Sequence, residues 1–179
     1  MSGALIKLDE VNVTSDVATI ELGAANWDNT YDVYVIKLRN LETSSGTNVH
    51  LYGRVLTGGT AQTDATYDVE YRGLWAAGSY QNGSFDNQTF WYISGSAMNN
   101  VETEGKESLS GMLYLYNFNE TGEYSYMSKD TTTINADGQT YGGFGGGMKK
   151  VAEANNGMQF LFSGGNIRTG DAILYGLHK

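Results

Sequence analysis

One stretch constrains the fold more than any other: Gly111-Met112-Leu113-Tyr114-Leu115-Tyr116-Asn117-Phe118-Asn119-Glu120-Thr121-Gly122-Glu123-Tyr124-Ser125-Tyr126-Met127. Its first arm alternates with a period of two, which is the period of a strand and not of a helix. Met112, Tyr114, Tyr116 and Phe118 fall on one face, Leu113 and Leu115 on the other. Both faces are apolar, so the arm reads as a strand inside a sheet, flanked on both edges. Asn119-Glu120-Thr121-Gly122 is polar and ends in glycine, which turns the chain back. The second arm puts Tyr124 and Tyr126 opposite Ser125. Nothing in the hairpin is catalytic in type.

The rest of the chain repeats this logic. Alternating segments at 5–14, 17–22, 31–39, 49–57, 88–94, 157–162 and 169–177 read as strands, and the hairpin's second arm runs on to 134. Segment 66–75 is ambiguous: Tyr67, Tyr71, Leu74 and Trp75 have helical spacing, while Tyr67, Val69 and Tyr71 alternate. Gly73 weakens a helix, and the neighbouring strands favour a strand. Segments 23–29, 58–65 and 73–87 read as loops, and 95–110, with Glu102, Glu104 and Glu107, as a solvated acidic loop. Turns are expected at 43–48, 135–138 and 163–166. Residues 141–148 are a glycine-rich stretch and 151–154 a short piece after it. About ten short strands separated by turns, with no helix, predict an all-β fold. The expected architecture is a single antiparallel β-sandwich, jelly-roll-like, forming one domain over 1–179.

Composition narrows the function. The formal net charge is −9 over 179 residues, and the pI is near 4.5. Such a chain is a poor partner for nucleic acid, whose affinity rests on neutralised phosphates, and for an anionic membrane surface. Charged residues make up 17%, against a usual level of about 25%. Glycine (24) and tyrosine (13) help fill the gap, along with Thr, Ser and Asn. A neutral-polar surface of this kind suits contact with other protein copies or with sugars. Cysteine is absent, so disulfides and thiolate metal sites are excluded. Proline is absent too, leaving strand turns to Gly, Asn and Asp. The first residues show no basic segment leading into an apolar run, so no export signal is expected. No run approaches the roughly 20 apolar residues of a membrane-spanning helix. The expectation is a protein soluble as made, with no membrane insertion.

Few residues advertise chemistry. Gly-x-Ser-x-Gly is missing, and the histidines are His50 and His178. A Ser-His-Asp site needs a histidine held by a carboxylate, and His50 reads instead as a surface or rim residue. Ligand spacing for zinc is lacking. The run 133–144 has threonine and Phe144 where an EF-hand needs its first and last acids. No cofactor and no metal are expected. Gly142-Gly143-Phe144-Gly145-Gly146-Gly147-Met148-Lys149-Lys150 fits no phosphate-binding motif. It marks a backbone that approaches something closely, a facing strand or a neighbouring subunit. Asp68 and Glu70 share one face of a strand, the spacing a carboxylate pair in a glycoside hydrolase could use, and also that of any solvated strand. Trp75, Tyr80 and Phe85 sit in a segment read as a polar loop. They are the candidate adhesive residues, available to stack on a host-surface glycan or to anchor a protein neighbour, or else to fold back over the sandwich.

The chain resembles a group of small structural proteins of tailed bacteriophages, notably of aquatic and cyanobacterial phages, described as virion or tail-fibre-like proteins. The resemblance is carried by Trp27-Asp28-Asn29-Thr30-Tyr31-Asp32-Val33-Tyr34, by Gly111 to Asn119 with Glu123-Tyr124-Ser125, and by Gly145-Gly146-Gly147. Asn156-Gly157-Met158-Gln159-Phe160, Gly165-Asn166-Ile167 and Leu174-Tyr175-Gly176-Leu177 complete it. These are framework motifs, and no catalytic residues come with them. The resemblance implies a non-enzymatic virion component, assembled in the host cytoplasm. The leading expectation is a self-associating capsid decoration or cement protein on the head, a trimer bound to the major capsid protein. The alternatives are a tail or fibre-tip adhesin using Trp75, Tyr80 and Phe85, with tail proteins as partners, and a glycoside hydrolase using Asp68 and Glu70.

Overall fold

The computed structural model describes residues 4–45, 48–76, 78–95, 98, 108–134 and 138–178. The first strand is β1 (Ala4–Val13), followed by β2 (Ile20–Gly23), a three-residue 3-10 turn (Ala24–Asn26) and β3 (Val33–Thr43). Next come β4 (Leu51–Thr57), β5 (Thr60–Ala61), β6 (Tyr67–Trp75), β7 (Tyr80–Gln88) and β8 (Trp91–Tyr92). The predicted hairpin is β9 (Leu109–Tyr116) with β10 (Tyr124–Ile134). The chain closes through β11 (Thr140–Ala152), β12 (Gly157–Phe162) and β13 (Ile167–His178). Among the described residues there is no α-helix.

The strands form two antiparallel sheets packed against each other as a sandwich. The larger runs β1-β13-β3-β9-β10-β11-β6-β7 and the smaller β2-β12-β4-β5, with β8 also on β4. Four pairings nest inside one another: β1 with β13, β2 with β12, β3 with β9, and β4 with β8. The chain therefore behaves as a long hairpin folded over on itself. β5, β6 and β7 are inserted near its tip, and β10 and β11 in its returning arm. All of these except β5, which pairs with β4, widen the larger sheet, because β6 adds to the edge of β11 and β7 to that of β6.

The core lies between the sheets. Ile20, Leu22, Leu51, Val55, Met158 and Phe160 of the smaller sheet meet Tyr34, Ile36, Leu38, Leu113, Leu115 and Leu174 of the larger. Each such side chain contributes about 1.5–3 kcal/mol when withdrawn from water. Trp91 is fully buried, edge-on to Tyr67 at 5.4 Å between ring centroids.

Several expectations need correction. β9 is an interior strand between β3 and β10, as its sequence implied. Its two faces are not equivalent, however: Leu113 and Leu115 are buried while Tyr114 and Tyr116 are exposed. Phe118 leaves the face of Met112, Tyr114 and Tyr116 because Asn117, at φ 59°, swings the chain inward and buries the ring. Segment 73–87 is no long loop but the end of β6 and most of β7. β7 is a polar edge strand that covers little of the core, so it carries no apolar alternation to betray it. The glycine-rich stretch and the short piece after it are one strand of 13 residues, β11. Segment 88–94 contributes Gln88, the end of β7, and the two-residue β8 as strand, and β2 begins at Ile20, Val17 making an isolated bridge to Ile167. The acidic residues Glu102, Glu104 and Glu107, and the turn at 135–137, lie outside the described residues.

Candidate functional site

The three candidate adhesive aromatics are brought into one hairpin but not to one place. Trp75 ends β6, half-buried and edge-on to Tyr141 at 6.4 Å. Its Nε1 is buried and makes no hydrogen bond among the described residues. Tyr80 starts β7 and is 63% exposed, with the Arg72 guanidinium 4.8 Å from its ring centre. Phe85 packs towards the core, stacked on Tyr92 at 4.5 Å and near Tyr71 at 6.3 Å. Strand parity separates what a loop would have let converge: Tyr80 stands opposite outward Leu74, and Phe85 opposite buried Val69.

Asp68 and Glu70 do share the outward face of β6, alternating with buried Tyr67, Val69 and Tyr71. Asp68 pairs with the Lys150 ammonium at 2.7 Å and accepts the Asn87 backbone N–H at 2.9 Å. The Lys150 hydrogen bond holds its carboxyl below the usual carboxylate range. Glu70 accepts from the Ser84 hydroxyl at 3.4 Å. A general acid needs the opposite treatment, burial that raises its pKa, and Asp68 does not receive it.

The register of the larger sheet draws in residues that sequence reasoning had assigned to the framework. Tyr116 stands opposite Tyr126, Tyr126 opposite Met148, and Met148 opposite Asp68. The next outward row is Tyr114, Ser128, Gly146 and Glu70. The row beyond holds Met112, Asp130, Phe144 and Arg72. Gly146 and Gly142 point outward and contribute no side chain. A Cβ at Gly142 would touch nothing within 4 Å, and one at Gly146 only the Met127 carbonyl oxygen at 3.1 Å. The face is therefore hollowed along β11. One depression lies between Phe144, Arg72 and Glu70, the other between Tyr116, Tyr126 and Asp68, and both include Glu70 and Gly146. The inward glycines do a different job. Cβ atoms at Gly145 and Gly147 would collide with the Glu70 carbonyl oxygen at 2.1 Å and the Trp91 ring at 2.6 Å. The close approach expected of this run is thus to a facing strand and a core ring. The signal for the exposed row was present as tyrosine alternating with leucine, but either face could have been the buried one.

Behind this face sits a buried cation. Lys129 is 3% exposed; its ammonium donates to the carbonyls of Tyr92 (2.5 Å) and Ile93 (3.2 Å) and lies 4.7 Å from the centre of the Tyr71 ring. Burial draws its pKa down to about 7. His50, at the rim beside β4, has its Nδ1 3.5 Å from the Ser94 hydroxyl. Burial first, then the Lys129 charge, lowers its pKa. Among the described residues no carboxylate orients His50, and no three His, Asp or Glu side chains are grouped to hold a metal ion. The side chain of His178 is outside the described residues.

Fold and face together define an antiparallel β-sandwich with one broad, open, aromatic and polar sheet face. No protein-family model matches the chain, and neither do curated proteins or solved structures.

Proposed function

We propose that the chain is a non-enzymatic structural protein of a tailed-bacteriophage virion. It decorates the head surface, associates with further copies as a trimer, and seats on the major capsid protein. The observation that carries this reading is the nested pairing of β1·β13, β2·β12, β3·β9 and β4·β8. That order supports reading the sandwich as jelly-roll-like, an architecture used by viral capsid and lectin domains. The motifs behind the phage resemblance add weight, because they assemble into framework: Trp27 stacks on Tyr34 at 3.8 Å and lies 5.7 Å from Phe118. The low charge suits a layer held by area shared among many copies. The fibre-tip reading loses its assembled site, since Trp75, Tyr80 and Phe85 diverge, and the hydrolase reading loses a free acid at Asp68.

Imaging virions with this gene deleted tests the proposal. The expected result is missing density at repeated positions on the head lattice, with a wild-type copy number on the scale of that lattice. An unchanged head surface refutes it.

A further inference from the structure

The structural role above makes no use of the hollow outward side of β9, β10, β11 and β6. Tyr116 and Tyr126, directly opposite each other, are 37% and 42% exposed, and Phe144 across the hollow is 50% exposed. Open aromatic rings grouped on one rigid face mark a surface that something covers. The two depressions hold about 660 and 480 Å³ and share Glu70 and Gly146 in their linings, a size within the usual range for ligand sites. Polar groups stand between the rings: Glu70 in both depressions, with Arg72 on one side and Asp68 on the other.

We propose that this trough binds a neutral polysaccharide chain. Sugar rings present C–H faces that stack on tyrosine and phenylalanine, and hydroxyls that both donate and accept. Those hydroxyls can donate to the carboxylates of Glu70 and Asp68 and accept from the Arg72 guanidinium. A protein partner would have to bury these charges at the centre of its contact, where interfaces are depleted of charge and an uncompensated one is costly. Asp68 is already paired with Lys150, so a sulfated or uronic polymer finds Arg72 as its one cation in the lining, beside Glu70 and on a chain of net charge −9. Two neighbouring open depressions suit an extended chain passing over the sheet better than a single sugar. Gly146, shared by both depressions, keeps the floor low enough for that chain to reach the backbone level.

The test is native affinity electrophoresis of the purified full chain in gels containing mixed-linkage β-glucan, galactomannan or dextran, with dextran sulfate as the anionic comparator. The expected result is retardation by at least one neutral polymer. Tyr116→Ala and Tyr126→Ala should each weaken it by about tenfold, the scale of one lost ring contact. Glu70→Gln, which removes no ring, should weaken it less, and Leu5→Ser on the distant β1 should leave it unchanged. Thermal melts of each variant check that the fold persists. The proposal is overturned by no retardation in any neutral gel, by retardation in dextran sulfate alone, or by retardation that survives both tyrosine changes. It also fails if the tyrosine variants alter the sedimentation of the protein instead, since the face is then a contact between copies. The assay uses no virion, so its failure would leave the head-decoration reading standing.

Discussion

The indole Nε1 of Trp27 donates to the Asn119 side-chain oxygen at 2.9 Å, joining residues 92 positions apart. The Asn119 amide nitrogen in turn shares its two N–H groups among the Tyr31 carbonyl (2.8 Å), the Asn29 carbonyl (3.1 Å) and the Tyr34 hydroxyl (2.8 Å). One side chain at the start of the β9–β10 turn thus clasps the connection between β2 and β3. Asn119→Ala leaves the indole and two carbonyls without their partner, and should cost about 2–3 kcal/mol. Urea unfolding measures it; a loss under about 0.5 kcal/mol would mean that water replaces the clasp.

Lys129 predicts a pH dependence. Its pKa falls from the ordinary 10.5 to about 7 through burial. Between those values the unfolded chain holds a proton that the folded chain has released. Stability therefore rises with pH through this window, by up to about 1.4 kcal/mol per unit. Below about 7 both states are protonated and the penalty of the buried charge is constant. Wild-type unfolding free energy should climb from pH 7 to 9 relative to Lys129→Met, and parallel curves would contradict this.

His50 acts on the acid side. Its folded pKa lies below the usual 6.5 because it is buried, with the Lys129 charge adding to the effect. The unfolded chain takes up the proton first as pH falls, so stability is lost from about pH 6.5 downward. Unfolding curves of His50→Gln between pH 7 and 5 should be flatter than those of the wild type.

The glycine strand offers a paired test. A methyl group at Gly145 would sit 2.1 Å from the Glu70 carbonyl oxygen and 2.7 Å from the Tyr71 Cα, while one at Gly142 meets nothing within 4 Å. Gly145→Ala should destabilise by about 1–3 kcal/mol or more. Gly142→Ala should stay within about 0.5 kcal/mol of wild type. Equal melting temperatures for the two would refute the assignment of inward and outward glycines.

Phe85 and Tyr80 should separate in the same assay. Phe85 is wedged between Tyr92 and Tyr71, so Phe85→Ala should cost about 2–3 kcal/mol. Tyr80 is exposed, with its ring beside the Arg72 guanidinium, so Tyr80→Ala should change stability by less than about 1 kcal/mol. Similar losses would place both rings in one packed cluster.

The period of two in Leu113-Tyr114-Leu115-Tyr116 and the run Met158, Phe160, Phe162 were enough to identify β9 and β12, because the pleat itself imposes that period on any half-buried strand. The all-β class followed, as did the outward pairing of Asp68 with Glu70. Other features depended on contacts far along the chain. Leucine and tyrosine are both apolar enough for a core, so the buried side of β9 was set by where β2, β4 and β12 pack. β7 and β11 are strands because β6 and β10 offer them unpaired backbone groups, and hydrogen bonds of that kind require no particular side chain. For the same reason Tyr80 ends on the opposite side of a hairpin from Trp75 and Phe85, while Tyr116 and Phe144 line neighbouring depressions that share Gly146. Side-chain alternation is local physics and can be read in order; edge pairing joins distant segments and exists only once the sheets have closed.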